Sequence, residues 1–122
     1  MRSNISVGTD IVEVARVSRL ARQPRFLMRV FTPAEIRYCR GKRNAAQHFA
    51  VRFAAKEAVW KALSSRVREN GIGHKEIGVR RLSSGQPLVA LSPRLKKFEK
   101  KIALSLSHTK DYATAVAVFL NS

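Results

Sequence analysis

The chain has 122 residues, of which 45% are hydrophobic, and its 24 Lys and Arg against 8 Asp and Glu give a formal net charge of +16. That size and apolar content exclude a disordered tail and fit one domain, with a core small enough that contacts between copies are expected to support its stability or its active site. The positive field attracts polyanions, so the expected partner is nucleic acid, an acidic protein or a phosphate-rich cofactor.

Cys39 is the only cysteine, which excludes an intrachain disulfide, suits a reducing compartment and reads as a small, partly buried apolar residue. Met1-Arg2-Ser3-Asn4 leads into no secretory apolar core, and no run approaches the ~20 apolar residues of a membrane span. The expectation is a cytoplasmic protein with no membrane partner, built as one continuous domain over residues 1–122 without repeats or linkers.

In chain order, Ile5 to Asp10 reads as a short strand, and Val14, Val17 and Leu20 follow at helical spacing, which sets Asp10 at or near a strand-to-helix junction. Arg16, Arg19 and Arg22 recur every third residue on one exposed face of that helix, with Arg25 and Phe26 beyond Pro24. Such a row is either an ordinary solvated face or a surface for an acidic partner. Thr32-Pro33-Ala34-Glu35 predicts a helix start, with an end near Gly41. Asn44 is a candidate cap for a long helix to about Leu63, with Phe49, Phe53, Trp60 and Leu63 as its buried stripe. After a polar loop from Arg66 to His74, strands are expected at Ile77, Val79 and from Pro87 to Leu91, joined through Ser83-Ser84-Gly85-Gln86. Ser92-Pro93 opens a short basic helix to about Lys101, then Ile102, Leu104 and Leu106 alternate as a strand, and Tyr112 to Leu120 reads as a buried last strand. The fold class is α+β, with antiparallel pairing of the C-terminal strands.

Glu57 flanks the apolar stripe of the long helix, one turn before Lys61, and taken alone reads as half of a surface ion pair. Arg52, Lys56, Glu57 and Lys61 bracket small alanines, a composition that lets a ligand approach and offers cations to a phosphate. One carboxylate is too few for a hard divalent cation; Asp10 can supply a second, with ligand phosphates and waters completing an octahedron, unless it acts only as a helix cap. Ser107-His108-Thr109 places an imidazole and two hydroxyls where a strand gives out, a setting for a phosphate contact or proton shuttle, whereas His48 and His74 have no comparable surroundings. No P-loop, dinucleotide fingerprint, nucleophile elbow or zinc-type cysteine cluster is present.

Gly8-Thr9-Asp10-Ile11-Val12-Glu13, Phe31-Thr32-Pro33-Ala34-Glu35, Arg52-Phe53-Ala54-Ala55-Lys56-Glu57-Ala58 with Lys61-Ala62, and Leu104-Ser105-Leu106-Ser107-His108-Thr109 stand in an order that resembles the holo-[acyl-carrier-protein] synthases, the short bacterial type of the 4′-phosphopantetheinyl transferase family. The resemblance implies a fold with one long central helix packed on an antiparallel sheet. It also implies an Mg²⁺-dependent enzyme of fatty acid biosynthesis that moves 4′-phosphopantetheine from coenzyme A to a serine of apo acyl carrier protein, working as a homotrimer with active sites between neighbouring subunits. By matching position, Asp10 and Glu57 become the metal ligands, Lys61 and His108 phosphate contacts, and Arg52 a further nucleotide contact. Gly85 and Pro87 match a turn beside the adenine, Ser107 and Thr109 flank the histidine at the same pocket, and Arg16, Arg22, Arg25 and Phe26 match the surface that receives the acidic carrier protein. Ser64-Ser65-Arg66-Val67-Arg68-Glu69-Asn70 departs from the glycine-rich loop that follows the long helix in the family.

In such a transfer the serine hydroxyl loses its proton either to Glu57 or to a water at the metal. The competing class, a small basic nucleic-acid-binding protein, rests on charge alone. The chain carries no recognisable module of that kind and its aromatics belong to the core pattern, so no nucleic-acid partner is expected.

Overall fold

The computed structural model describes residues 4–67, 71–81 and 84–121. Strand β1 (Ile5–Glu13) alternates, turning Gly8, Asp10 and Val12 inward and Val7, Thr9 and Ile11 outward. It pairs antiparallel with the last strand, and the sheet is completed by the strand before it; β4 (Ile102–His108) and β5 (Tyr112–Leu120) give the order β1-β5-β4. Between these ends of the chain come α1 (Val14–Ala21), α2 (Pro24–Val30), α3 (Pro33–Arg40), α4 (Ala45–Leu63) and a separate antiparallel hairpin of β2 (Ile77–Arg81) and β3 (Pro87–Leu91). A single 3₁₀ turn, His74–Glu76, leads into β2, and a 3₁₀ helix, Pro93–Lys101, follows β3.

Helix α4 lies across the inner face of the sheet, where Val12, Ala113, Ala115, Ala117 and Phe119 are buried against it. Alanines 54, 55, 58 and 62 of the helix are fully buried, and the approach is close: a Cβ on Gly8 would stand 1.9 Å from the carbonyl oxygen of Ala58. Helix α1 and α3 cover further sides of α4, so burial runs nearly round it. That explains a departure from the expected aromatic stripe. Phe49 and Leu63 are buried, Phe53 is half-buried, and Trp60 is 41% exposed, because the faces in tightest contact take alanine and leave the indole outside.

Other expectations shift as well. Asp10 lies within β1 rather than at its end, since pairing with β5 continues to Glu13. Asn44 precedes α4 but makes no side-chain cap. Thr32 and Glu35 do form the reciprocal capping box at the start of α3, which ends at Gly41. Of the joining segment Ser83-Ser84-Gly85-Gln86, Ser83 lies outside the described residues, as do Arg68, Glu69 and Asn70 of the departing loop. Cys39 is fully buried in the core, and its apolar surroundings raise the thiol pKa to about 11.

Lys56 has no exposed surface. Its ammonium lies 2.7 Å from the carboxylate of Glu35 and donates to the main-chain carbonyls of His74 at 3.1 Å and Ile77 at 2.5 Å. Glu35 in turn accepts from the amide of Val79 at 2.8 Å, so one ion pair ties α3, α4, the 3₁₀ turn and β2. Desolvation lowers the Lys56 pKa and the neighbouring Glu35 charge opposes that shift. Lys56→Met is expected to lower the free energy of unfolding by about 3–5 kcal/mol in denaturant titrations, because Glu35 is left buried and charged; adding Glu35→Gln, which removes that charge and keeps an acceptor, is expected to recover part of the loss.

Candidate active site

Helix α4 and β1 bring three sequence-predicted residues together. Lys61 crosses to β1, its ammonium 3.2 Å from Asp10 Oδ1 and 2.9 Å from the carbonyl oxygen of Thr9, to which it donates. The Glu57–Lys61 surface pair is therefore replaced: Glu57 Oε1 lies 3.1 Å from Nε2 of His74 instead. Burial raises the pKa of Asp10; the Lys61 hydrogen bond and charge oppose it, the Glu57 charge raises it further, and Arg16 lowers it. Asp10 thus feels Glu57, Lys61 and Arg16 at once. Together with Thr9, Ile11, Thr114 and Val116, Asp10 and Lys61 line a depression of about 400 Å³.

Oδ2 of Asp10 is buried and accepts no hydrogen bond from the described residues. A carboxylate oxygen so placed costs on the order of 1–3 kcal/mol, and a hard cation would satisfy it with the oxygen donor that such ions prefer. Among the described residues no three His, Cys, Asp or Glu side chains converge as a metal-binding group. The residues therefore fit a cation held by the two carboxylates Asp10 and Glu57, with its remaining positions given to phosphate oxygens and water, the arrangement usual for Mg²⁺.

His108, Ser107 and Thr109 lie elsewhere. Register places Asp10 beside Ala115 on β1, and His108 beside Ala113 on β4, at opposite edges of the three-stranded sheet. Two strand spacings, about 10 Å, separate those edges. Ser107 and His108 are exposed, while the hydroxyl of Thr109 is engaged by the β4–β5 turn, accepting from the amide of Tyr112 at 3.1 Å. His108 is associated with a cationic cluster at the start of α4. The pKa of His48 is lowered first by burial and then by the charges of Arg52, Lys42, Arg81 and His108.

Arg52 is only 2% exposed, donates to the carbonyl of His48 at 3.3 Å and lies over the ring of Tyr38 at 4.4 Å. Its neighbour in sequence reasoning, Lys56, is committed to Glu35, so the two are structural before they are anion contacts. Arg52 borders a second cavity of about 450 Å³ between α3 and the β2–β3 hairpin. Gly85 adopts φ +89° in the hairpin turn, and its carbonyl accepts from Arg81 at 3.2 Å; Pro87 opens β3 opposite Arg81. On the remaining face, Arg16, Arg19, Arg22 and Arg25 are exposed, whereas Phe26 is half-buried, its ring 6.1 Å from Phe31 and 5.8 Å from Phe53.

Sequence reasoning missed His74 and His48. His74 meets Glu57 across 17 residues of chain, and no local spacing announces it.

The family model described as the 4′-phosphopantetheinyl transferase superfamily matches residues 6–117. The chain is 39% identical over 121 residues to a holo-[acyl-carrier-protein] synthase of Koribacter versatilis, covering 93% of this chain and 96% of the relative. With the holo-[acyl-carrier-protein] synthase of Moorella thermoacetica it shares 40% over 127 residues, covering 97% and 95%. Among solved structures, the Chronobacterium ammoniagenes ACPS-CoA complex superposes with a TM-score of 0.81 at 28% identity, over 98% of this chain and 99% of that one. The Helicobacter pylori holo-[acyl-carrier-protein] synthase in complex with coenzyme A gives 0.73 at 30% identity, over 91% and 96%. With a family match over nearly its whole length and the sheet and long helix superposing on those of solved relatives, the chain belongs to the 4′-phosphopantetheinyl transferase superfamily.

Proposed function

We propose that the protein transfers the 4′-phosphopantetheine group of coenzyme A to a serine of apo acyl carrier protein, leaving adenosine 3′,5′-bisphosphate, with Mg²⁺ held by Asp10 and Glu57. The observation that carries this reading is the buried, unsatisfied Oδ2 of Asp10 beside Glu57 and Lys61. The holo-[acyl-carrier-protein] synthases it resembles and the coenzyme A complexes among them support the same substrates.

The serine oxygen bonds to the phosphorus that carries the pantetheine arm, the pyrophosphate P–O bond breaks and the hydroxyl proton leaves to a base. Mg²⁺, when bound, neutralises charge on the non-bridging phosphate oxygens. Lys61 adds a mobile cation at the same place; it is half-exposed and can move from Asp10 to an arriving phosphate. The hydroxyl proton has two candidate acceptors, Glu57 and a water at the metal. His108, with the cationic cluster around His48, suits the remaining phosphate of the nucleotide.

Two halves of a site on opposite sheet edges suit assembly of copies into a ring, in which β1 of one copy faces β4 of the next. The outward face of the sheet supports such packing, since Val7, Ile11, Val116 and Leu120 are all exposed apolar residues. The family's homotrimer is the assembly we adopt.

Purified protein with Mg²⁺, coenzyme A and apo carrier protein is expected to add ~340 Da to the carrier, the mass of phosphopantetheine rather than of a bare phosphate. Asp10→Ala and Glu57→Ala should abolish the gain while leaving the circular dichroism spectrum intact; activity within a few-fold of wild type in both would sink the metal assignment. Co-expression of Asp10→Ala with His108→Ala chains should restore roughly a quarter of wild-type sites, since each complete site then needs a different copy on each side. Hybrids no more active than the separate variants would put both halves in one chain. Reversing charge at Arg16 and Arg22 is expected to raise KM for carrier protein far more than KM for coenzyme A, and equal effects on both would remove the docking role of α1.

A further inference from the structure

We propose that His74 is a positioning residue that holds Glu57 in the geometry required for the cation, an inference that rests on the metal reading above. Three residues of α4 grip it. Its ring stacks on Phe53, with centroids 6.0 Å apart and planes 16° apart. Its main-chain carbonyl accepts from the buried Lys56 at 3.1 Å. Its Nε2 lies 3.1 Å from Glu57 Oε1. Positions 53, 56 and 57 share one side of a helix, three and four residues apart, so a single face of α4 fixes the backbone, the ring plane and the ring nitrogen.

An ion pair between two long exposed side chains has no need of such support and gains little from it. Here both partners are half-buried, and the imidazole is held before it meets the carboxylate. As a carboxylate Glu57 only accepts, so the hydrogen of this bond belongs to Nε2. One oxygen of Glu57 is thereby engaged and the other is left for a hard cation. Glutamate has a long side chain with several rotatable bonds, and freezing it beforehand removes an ordering cost from metal binding. The residue works through Glu57.

His74→Phe isolates the proposed bond, because phenylalanine can keep the stack on Phe53 and leaves the main-chain carbonyl to Lys56. The readout is Mn²⁺ affinity with coenzyme A present and carrier protein absent, followed by the paramagnetic resonance of free Mn²⁺. We expect the Phe variant to melt within about 2 °C of wild type and to bind Mn²⁺ about tenfold more weakly. Its kcat should return at saturating Mn²⁺, with KM for carrier protein unchanged. His74→Gln, which retains an N–H donor of similar reach, should recover affinity to within about threefold of wild type. Mn²⁺ binding by the Phe variant equal to wild type overturns the proposal, and so does a Gln variant as weak as Phe. If wild type itself transfers phosphopantetheine but binds no Mn²⁺, the metal reading fails and this inference with it, a result distinct from a defect confined to the variants.

Discussion

The ammonium of Lys56, sealed from solvent among apolar neighbours, needs Glu35 close by and two carbonyl oxygens around it. Those requirements can be met only when α3, α4, the 3₁₀ turn and β2 are all in place. A buried ion pair is rarely the cheapest way to fill a core, and an apolar substitute of the same volume is often at least as stable. What it adds is direction. Hydrophobic contact would let the hairpin slide over α4, whereas a cation with fixed acceptors allows one setting. The carbonyl of His74 is one of those acceptors, so the same cation that registers the hairpin also delivers a side chain to Glu57.

The site uses charge in the opposite manner. At Lys56 every polar atom named has its partner; at Asp10 one oxygen is buried without any. Folding leaves that oxygen uncompensated in the protein alone, which is tolerable when a ligand supplies the compensation. The excess of positive charge, +16 over the chain, is divided among separate tasks: the exposed arginines of α1 and α2, the cluster of Arg52, Lys42 and Arg81 around His48, and the interior cation Lys56, which is committed to Glu35 and presents nothing to a partner. Net charge alone therefore overstates the surface that faces an acidic protein.

Much of the architecture was legible along the chain. The capping box at Thr32, the alternation in Ile102–His108 and the apolar run of Tyr112–Leu120 each carry a local signal and become a helix start and two strands, although the last strand buries one face only and leaves Tyr112, Val116 and Leu120 exposed. The proposed pairing of Asp10 with Glu57 rests in the sequence on the ordered motifs around them. Asp10 misled on position because nothing between it and Val14 breaks a strand, and β5 supplies pairing partners up to Glu13. Trp60 misled because a helix covered on several sides loses its single apolar stripe; size of contact, not hydrophobicity, then decides which residue goes inward. The burial of Lys56 depends on Glu35, 21 positions away, and the role of His74 on a helix already passed. Such partnerships are properties of the folded chain and leave no trace in spacing.

The contact between Gly8 and Ala58 has one more consequence. With strand and helix already touching, the strand side of this seam has no room for a methyl group on Gly8. Asp10 stands two residues from the glycine and Glu57 one residue from the alanine, so the distance between the carboxylates is gauged by atoms in van der Waals contact and not by a loop. Any larger residue at Gly8 would force the strand and the helix apart. Larger side chains are better accommodated on the open flank at Trp60, which is 41% exposed, than at this seam.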